Sequence, residues 1–320
     1  MHDYDSFNED VICTLAMAAG EDNVAMVEPM SRHTTFKIGG PADVLVTPET
    51  PEALVKVLDT CAIAGVPVTV VGNGSDLLVG DRGIRGVVVL LRENLARVAV
   101  EGTRVTAEAG ALLRDVALTA ADAGLTGMEP LWGIPATVGG ACFMNAGAYD
   151  ACTADVLESV TVYVPGGPDE GGARLRGRVR TLGRDELRMG YRKSRVADEG
   201  LIVISAIFAL APGNEAQIRA DMDTYQRRRE EKQPLELPSA GSTFKRPEGY
   251  FAGKLIMDAG LAGASVGAAE VSTKHCGFVV NTGGATAADV CALIEKVQDT
   301  VREKFGVEME PEVRRIGEFA

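Results

Sequence analysis

Apolar residues recur at helical spacing in several segments, and this pattern predicts the helices of the chain. Between Pro51 and Ala64, the residues Leu54, Val57 and Leu58 form one apolar stripe. A threonine precedes this segment and a glycine follows it, which are typical signals for the start and the end of a helix. The same reasoning predicts further helices at residues 112–123, 215–232, 251–259 and 287–304.

Short apolar runs bounded by glycine or by polar turns predict the strands. They lie at residues 66–71, 87–91, 97–100, 104–107, 159–164, 178–181, 201–210 and 307–316. Residues 127–149 are rich in glycine and poor in charge, and we expect them to form a long loop. Residues 166–172 have the composition of a mobile turn. No repeat is visible at a period of about 20 to 50 residues, which argues against a solenoid.

The length of the chain predicts two or three domains. Its 320 residues, 46% of them hydrophobic, suffice for a large core. We expect an N-terminal helical lead-in over residues 1–30, with Ile12, Leu15 and Met26 among its apolar positions. A first domain then covers residues 31–213, with subdomains at about 31–92 and 93–213. A second domain with a linking helix covers residues 214–320, and the prolines at 234 and 238 indicate a linker within it.

Charge and composition exclude several classes of function. The net charge of −13 and the pI near 4.8 argue against general binding to nucleic acid or to anionic membranes. No apolar run reaches the roughly 18 residues of a membrane span, and residues 1–10 lack the order of a signal peptide. The six scattered cysteines favour a reduced, cytoplasmic protein. The three histidines are isolated, so no metal site is expected.

Two glycine-rich stretches are candidates for contact with a cofactor. The first, Val71-Gly72-Asn73-Gly74-Ser75-Asp76-Leu77-Leu78, follows a predicted strand and exposes backbone N–H groups suited to a pyrophosphate. It lacks the third glycine of a Rossmann fingerprint and the Gly-Lys-Ser/Thr of a P-loop, so an ordinary turn remains open. The second, residues 133–149, has so many small residues that we expect something flat or extended against its backbone.

Three further stretches carry polar side chains suited to chemistry on a carbanion. They are Gly190-Tyr191-Arg192-Lys193-Ser194, Ala240-Gly241-Ser242-Thr243-Phe244-Lys245-Arg246-Pro247 and Pro311-Glu312-Val313-Arg314-Arg315. By themselves, the three stretches also have ordinary explanations. Arg192 fits a surface arginine in a basic loop, Ser242 fits a turn serine, and Glu312 fits one carboxylate of a solvated acidic edge. On a strand, Glu308, Glu310 and Glu312 would share one face. No histidine lies near the serine in sequence, so a Ser-His-Asp hydrolase is poorly supported.

The two glycine-rich stretches and the three polar stretches, in their order along the chain, resemble the MurB family of UDP-N-acetylenolpyruvoylglucosamine reductases. The resemblance includes Thr35-Phe36-Lys37-Ile38-Gly39-Gly40-Pro41-Ala42 and covers residues 30–318. Residues 240–247 and 251–256 are similar to its type II branch, which lacks the inserted loop of type I enzymes. The resemblance implies an α+β fold. It consists of a two-subdomain FAD-binding domain of the vanillyl-alcohol-oxidase-like (PCMH-type) class and a C-terminal α+β substrate-binding domain.

The resemblance also implies an activity. It is the NADPH-dependent reduction of UDP-N-acetylglucosamine enolpyruvate to UDP-N-acetylmuramic acid through non-covalent FAD, a step of peptidoglycan precursor synthesis. Neither nucleic acid nor membrane insertion is expected. Two alternatives stay open: another FAD-dependent oxidoreductase on the same scaffold, such as a small-alcohol oxidase or dehydrogenase, and a flavin-binding sensor without turnover.

The same resemblance implies the site residues. The catalytic residues would be Arg192, which contacts the substrate carboxyl, Ser242, which donates a proton, and Glu312. Substrate contacts would come from Tyr191, Lys232, Gln233, Lys245 and Arg246. Cofactor contacts would come from Val71, Gly72, Asn73, Gly74, Ser75, Asp76, Leu77, Pro135, Ala136, Thr137, Val138, Gly139, Gly140, Ala141, Asn145, Gly147, Ala148 and Arg315.

Overall fold

Helices and strands are mixed along residues 9–319, the part of the chain that the computed structural model describes. These residues divide into two compact units, each built from separate stretches of the chain. The first unit contains the chain up to Met26, Val44–Asn73 and Gly86–Arg227. The second contains Val27–Asp43, Gly74–Arg85 and the chain from Arg228 onward. The predicted domain boundary at residue 213 stays a prediction.

The elements have the following bounds. The helices are α1 (Glu9–Ala19), α2 (Pro51–Ala64), α3 (Leu113–Asp122), α4 (Val138–Met144), α5 (Thr153–Val156), α6 (Arg195–Asp198), α7 (Glu215–Lys232), α8 (Ala252–Asp258) and α9 (Ala287–Phe305). The first ten strands are β1 (Val24–Pro29), β2 (Pro41–Val46), β3 (Val68–Val71), β4 (Leu77–Val79), β5 (Ile84–Leu90), β6 (Val98–Glu101), β7 (Arg104–Glu108), β8 (Leu125–Thr126), β9 (Gly147–Ala148) and β10 (Ala151–Cys152). The others are β11 (Leu157–Val164), β12 (Arg178–Gly183), β13 (Ile202–Ala209), β14 (Ala211–Pro212), β15 (Ser239–Ser242), β16 (Ser265–Val266), β17 (Ala269–Val271), β18 (Phe278–Asn281) and β19 (Arg314–Ile316).

An antiparallel sheet forms the centre of the first unit. Its strand order is β12-β11-β13-β7-β6, and Val160, Val162 and Phe208 on its strands are buried. Strand β13 carries Phe208 opposite Val105 of β7, and α4 packs on β13. Because burial of a large apolar side chain contributes about 1.5–3 kcal/mol, alternating apolar positions suffice to fix the register of this sheet.

A second sheet, ordered β1-β2-β5-β3, brings the chain to the first glycine-rich loop. Strands β3 and β5 are parallel, with Val68 opposite Val87 and Val71 opposite Leu90. Helix α2 buries its predicted apolar stripe, and its threonine cap accepts a hydrogen bond from the first turn. The loop therefore begins directly after the buried Val71, at the carboxyl end of a parallel strand.

The second unit is built on the antiparallel sheet β15-β18-β17-β16. Helix α9 packs on β16 and β17 and buries residues at helical spacing, among them Val290, Ile294 and Val297. Its bounds follow from a capping box at Thr286 and a left-handed Gly306. Strands β4 and β19 form a separate parallel pair in this unit.

Three local predictions are wrong. Of the predicted helical lead-in, residues 1–8 lie outside the described residues, Glu9–Ala19 forms α1, and Val24–Pro29, which includes Met26, forms strand β1 instead. The expected strand at residues 307–316 is reduced to Arg314–Ile316, with one isolated bridge at Pro311. The stretch 127–149, expected to be a loop, contains α4 together with β9. Glycine and alanine are compatible with a short helix when a threonine caps it and neighbouring backbone accepts its hydrogen bonds.

Candidate active site

The first glycine-rich loop offers a row of backbone donors. Within residues 9–319, the N–H groups of Gly72, Asn73, Gly74 and Ser75 donate no hydrogen bond. Gly74 has a left-handed φ of 63°, and a Cβ there would lie 2.3 Å from the carbonyl oxygen of His33, so only glycine fits. Consecutive N–H groups of this kind are suited to the oxygens of a pyrophosphate.

The two glycine-rich loops are in direct contact within the first unit. A Cβ at Gly72 would lie 2.2 Å from Oγ1 of Thr137, so the backbone of one loop touches a side chain of the other. The side-chain amide of Asn73 donates to the carbonyl of Pro135 at 2.7 Å. Asn73 and Gly72, predicted to contact the cofactor, therefore also join the loops.

The first N–H groups of helix α4 already donate hydrogen bonds within the protein. Val138 N–H donates to the carbonyl of Ala111, and Gly139 N–H to that of Ala109, both at 2.8 Å. Gly140 N–H donates to Oγ1 of Thr137 at 3.4 Å. Contacts of these residues with a ligand would therefore depend on close approach to the backbone. Gly140 allows such approach, because a Cβ there would have no atom nearer than 3.6 Å.

The turn that carries Arg192 lies in the first unit. Gly190 and Lys193 exchange both backbone hydrogen bonds, at 2.9 and 3.2 Å, and so leave Tyr191 and Arg192 at the tip. Arg192 has a left-handed φ of 54°, which is uncommon for residues other than glycine, and its guanidinium lies 4.9 Å from the ring centre of Tyr191. The side-chain amide of Asn145 donates to the carbonyl of Gly190 at 2.9 Å.

Ser242 and Glu312 lie on paired stretches of the second unit. The backbone N–H of Glu312 donates to the carbonyl of Thr243 at 2.8 Å, one residue after Ser242. The Ser242 side chain is exposed, and its hydroxyl has no hydrogen-bond partner within residues 9–319. The half-buried Glu312 and the exposed Ser242 therefore lie on neighbouring segments.

The stretch that ends in Ser242 is held against the first glycine-rich loop in the second unit. Thr35 donates its backbone N–H to the carbonyl of Gly74 at 3.2 Å and its hydroxyl to that of Ser239 at 2.7 Å. A Cβ at Gly241 would lie 3.9 Å from the carbonyl oxygen of Ser75. Thr35 thus fixes β15 beside the loop residues predicted to bind the cofactor.

The other carboxylates of this stretch have their own partners. Lys245 forms an ion pair with Glu310, and the backbone N–H of Lys245 donates to the Glu310 carbonyl at 2.8 Å. Glu308 lies 3.9 Å from Arg302 on α9. Both glutamates are exposed, whereas Glu312 is half-buried. The expected sharing of one strand face by all three is therefore wrong, because residues 306–310 are not a strand.

The remaining predicted substrate residues lie in various settings. Lys232 is the exposed last residue of α7, and the buried Oε1 of Gln233 accepts no hydrogen bond within residues 9–319. Arg246 lies 4.0 Å from the ring centre of Phe251. Arg315, predicted to contact the flavin, lies opposite Leu78 in the β4–β19 pair. These positions leave the predicted roles untested.

Two neighbouring groups were missed by sequence reasoning. Ser194, 0% exposed, donates its hydroxyl to the carbonyl of Phe143 at 2.6 Å and caps α6. Thr243 is buried and accepts the N–H of Val279 on its Oγ1 at 3.0 Å. A serine directly before a short helix is a capping signal that could have pointed to Ser194, but the partner of Thr243 is too distant in sequence to be read locally.

The second glycine-rich stretch contains one thiol, the buried Cys142 of α4. Burial raises the pKa of the Cys142 thiol in α4 to about 12, so it stays protonated and unreactive near neutral pH. Among residues 9–319, no group of three or more His, Cys, Asp or Glu side chains could hold a metal ion. None of the helices in that range is both long and apolar enough to cross a membrane.

Comparison with known proteins identifies both halves of the chain. Residues 42–168 match the model of an FAD binding domain, and residues 233–316 match the model of the UDP-N-acetylenolpyruvoylglucosamine reductase C-terminal domain. The UDP-N-acetylenolpyruvoylglucosamine reductase of Agathobacter rectalis is 51% identical, with 91% of this chain and 93% of that protein aligned. The protein of the same name from Geobacillus kaustophilus is 49% identical over 97% of this chain and 98% of its own length.

A solved structure confirms the fold expected from the sequence. The crystal structure of UDP-N-acetylenolpyruvylglucosamine reductase (MurB) from Thermus caldophilus superposes with a TM-score of 0.75 at 36% identity. The superposed region covers 91% of this chain and 97% of the Thermus caldophilus chain. The α+β class, with an FAD-binding domain and a C-terminal domain of the reductase type, is thereby confirmed. From its motifs, its fold and these relatives, the chain belongs to the UDP-N-acetylenolpyruvoylglucosamine reductase family.

Proposed function

We propose that this protein reduces UDP-N-acetylglucosamine enolpyruvate to UDP-N-acetylmuramic acid, with FAD as cofactor and NADPH as reductant. Membership of the reductase family along 91% or more of the chain supports this reaction, a step of peptidoglycan synthesis. The structural observation that supports the proposal is the Thr243–Glu312 backbone hydrogen bond, which joins the segment of the exposed Ser242 to that of the half-buried Glu312. The alternatives, a small-alcohol oxidase and a sensor, are not favoured by the relatives.

The residues of the glycine-rich loops fit FAD. The free N–H groups at Gly72 to Ser75 would hold the pyrophosphate, and the open side of Gly140 would admit the cofactor close to the backbone. When bound, FAD supplies a centre that accepts a hydride from NADPH and delivers it to the enolpyruvyl carbon. We propose a non-covalent attachment, because no histidine occurs in either loop and Cys142 is buried and protonated.

Arg192 is proposed to bind the carboxylate of the enolpyruvyl group. Its planar guanidinium presents two parallel donors to a carboxylate, and it keeps its positive charge while negative charge develops on the substrate. The left-handed backbone at this residue supports a functional role, since such strain persists mainly at sites that need it. Tyr191, exposed beside it, is proposed to contribute to substrate contact.

Ser242 is proposed to protonate the substrate at C2. Its hydroxyl has no partner within the described residues and is exposed, so it is available to a ligand. Serine is a weak acid near neutral pH, so a neighbouring group must support the transfer. Lys245 is paired with Glu310, and we propose that Glu312, on the adjoining segment, supports the transfer.

Glu312 is proposed to stabilise the substrate carboxyl as its charge increases. A carboxylate close to an anion is repulsive, so we propose that Glu312 shares a proton with the substrate carboxyl. Glu312 would then act as a hydrogen-bond donor. Lys232 and Gln233 are proposed to contact the nucleotide diphosphate, and Lys245 and Arg246 to contact the substrate beside Ser242. The unpartnered Oε1 of Gln233 can accept a hydrogen bond from an N–H or hydroxyl of a ligand, whereas its amide N–H groups would face the diphosphate. A cytoplasmic location remains part of the proposal.

A steady-state assay on the purified protein tests this function. Oxidation of NADPH should depend on added UDP-N-acetylglucosamine enolpyruvate, and mass spectrometry should detect UDP-N-acetylmuramic acid. Acid precipitation should release FAD into a yellow supernatant. NADPH consumption that is independent of the enolpyruvyl sugar nucleotide would overturn the proposal, and flavin retained in the pellet would overturn the non-covalent attachment.

A further inference from the structure

We infer that Asn145 is a positioning residue that holds the turn of Arg192, an inference that rests on the proposed function. Its Nδ2 donates to the carbonyl of Gly190 at 2.9 Å, across 45 residues of sequence. Its Oδ1 accepts the N–H of Ala154 at 3.0 Å. Asn145 is 5% exposed, and both ends of its amide are hydrogen-bonded within the protein, a structural role beside the cofactor contact that the resemblance implies.

The turn needs such support because of its own geometry. Gly190 and Lys193 close it with two backbone hydrogen bonds, and Arg192 occupies the tip with φ 54°. Non-glycine residues adopt this conformation rarely, and it persists when the surrounding structure holds it in place. Asn145 holds the carbonyl at the base of the turn and thereby fixes the direction from which the arginine extends.

A second anchor holds the other end of the turn. Ser194 directly follows Lys193 and donates its hydroxyl to the carbonyl of Phe143 at 2.6 Å. Ser194 also accepts the N–H of Ala197 at 3.2 Å and is 0% exposed. Both anchors are attached to residues 143–145, at the end of α4. The second glycine-rich stretch, through its residues 143–145, therefore sets the position of the arginine turn.

Asn145 is suited to this task by its backbone as well as by its side chain. It is the C-terminal cap of α4, with a left-handed φ of 45°. Asparagine and aspartate tolerate that conformation, but only asparagine has an N–H to donate to a carbonyl. Asn145→Asp therefore keeps the contact with Ala154 N–H, and it replaces the bond to Gly190 by repulsion between a carboxylate oxygen and that carbonyl.

Stopped-flow measurement of both half-reactions tests the inference. In Asn145→Asp, re-oxidation of the flavin by UDP-N-acetylglucosamine enolpyruvate should slow roughly 10- to 100-fold, as expected for a misplaced substrate-positioning group. Reduction by NADPH should stay within about twofold of wild type, because Arg192 is assigned to the substrate carboxylate. The FAD content and the dissociation constant of FAD should be unchanged.

A matched control and a double-mutant cycle separate positioning from general loosening. Thr153→Val removes the 2.9 Å hydrogen bond from Thr153 to Ala146 in the same segment, at a site with 0% exposure. It should leave the ratio of the two half-reaction rates unchanged. If Asn145 acts through Arg192, Asn145→Asp should add little to the defect of Arg192→Lys, whereas independent effects would multiply.

Each outcome has one interpretation. Wild-type enzyme that is not re-oxidised by the substrate would overturn the proposed function itself. If the wild type is active, three results for Asn145→Asp would overturn the inference: loss of FAD, equal slowing of both half-reactions, or unchanged re-oxidation. A fourth is a double variant whose rate defect is the product of the defects of Asn145→Asp and Arg192→Lys. If Asn145→Asp fails to fold, Ser194→Ala takes its place. Ser194→Ala removes the hydrogen bond from Ser194 to the Phe143 carbonyl, so it should slow re-oxidation and leave reduction by NADPH unchanged. An equal effect on both half-reactions would contradict the inference.

Discussion

The backbone N–H of Glu312 donates to the carbonyl of Thr243 at 2.8 Å, and this bond joins two segments nearly seventy residues apart. Lys245 and Glu310 continue the same pairing by a backbone bond and an ion pair. Ser242, directly before Thr243, is therefore held beside Glu312 by hydrogen bonds that do not use either functional side chain. The Ser242 hydroxyl has no hydrogen-bond partner within residues 9–319.

Ser242→Ala should separate the two half-reactions. If the serine donates only the late proton, reduction of the flavin by NADPH should be nearly unchanged. Re-oxidation by substrate should slow by roughly 10²–10⁴-fold, the usual effect of losing a general acid. Stopped-flow absorbance of the flavin measures both steps. Equal loss in both would indicate a structural serine.

Two substitutions at Glu312, one by glutamine and one by alanine, should differ in their effect on substrate reduction. Glu312→Gln keeps a hydrogen-bond donor, so it should retain more substrate reduction than Glu312→Ala. Steady-state kcat and KM for the enolpyruvyl substrate measure the difference. Equal activity in the two variants would exclude a donor role.

Glu308 and Glu310 provide the matched controls for that experiment. Both are exposed and paired with Arg302 and Lys245, and exposed ion pairs contribute only about 0–1 kcal/mol. Glu308→Gln and Glu310→Gln should therefore remain close to wild type. A larger defect in Glu310→Gln than in Glu312→Gln would move the carboxylate role to Glu310.

Two glycines of the cofactor loops should respond differently to valine. Gly72→Val places a Cβ 2.2 Å from Thr137 Oγ1, so it should lower the stability of the cofactor-free protein by about 1–3 kcal/mol. A Cβ at Gly140 meets nothing nearer than 3.6 Å, so Gly140→Val should fold normally and bind FAD more weakly. Thermal unfolding without FAD and FAD titration measure these effects. Unchanged FAD affinity in Gly140→Val would argue against cofactor contact there.

His275 should make stability depend on pH. Burial lowers its pKa below the usual 6.5, and its Nδ1 accepts the N–H of Gly277 at 3.1 Å, which requires a neutral ring. Because the unfolded state binds the proton more readily, the stabilisation is present above pH 6.5 and is lost as the pH falls below that value. The melting temperature of His275→Gln should fall less steeply between pH 7.5 and 5.5 than that of wild type. Parallel curves would exclude His275 as the cause.

Local signals predicted the helices better than the site. Helices α2 and α9 have strong boundary residues, and the charged α7 follows the break at Pro212-Gly213. The predicted bounds of all three agree with the structure within one residue. Strand β1 was missed because its burial pattern does not alternate. The site residues were predicted only by resemblance, since no local pattern distinguishes Glu312 from Glu310. The hydrogen bond from Asn145 to Gly190 is a tertiary contact and has no local signal.

A single-turnover experiment without oxygen tests the proposed reaction most directly. Enzyme reduced with NADPH and freed of excess nucleotide is mixed with UDP-N-acetylglucosamine enolpyruvate, while flavin absorbance and products are followed. The account predicts that the oxidised flavin spectrum returns and that UDP-N-acetylmuramic acid forms in an amount equal to the flavin. A flavin that stays reduced in the presence of this substrate, with no UDP-N-acetylmuramic acid detected, would contradict it.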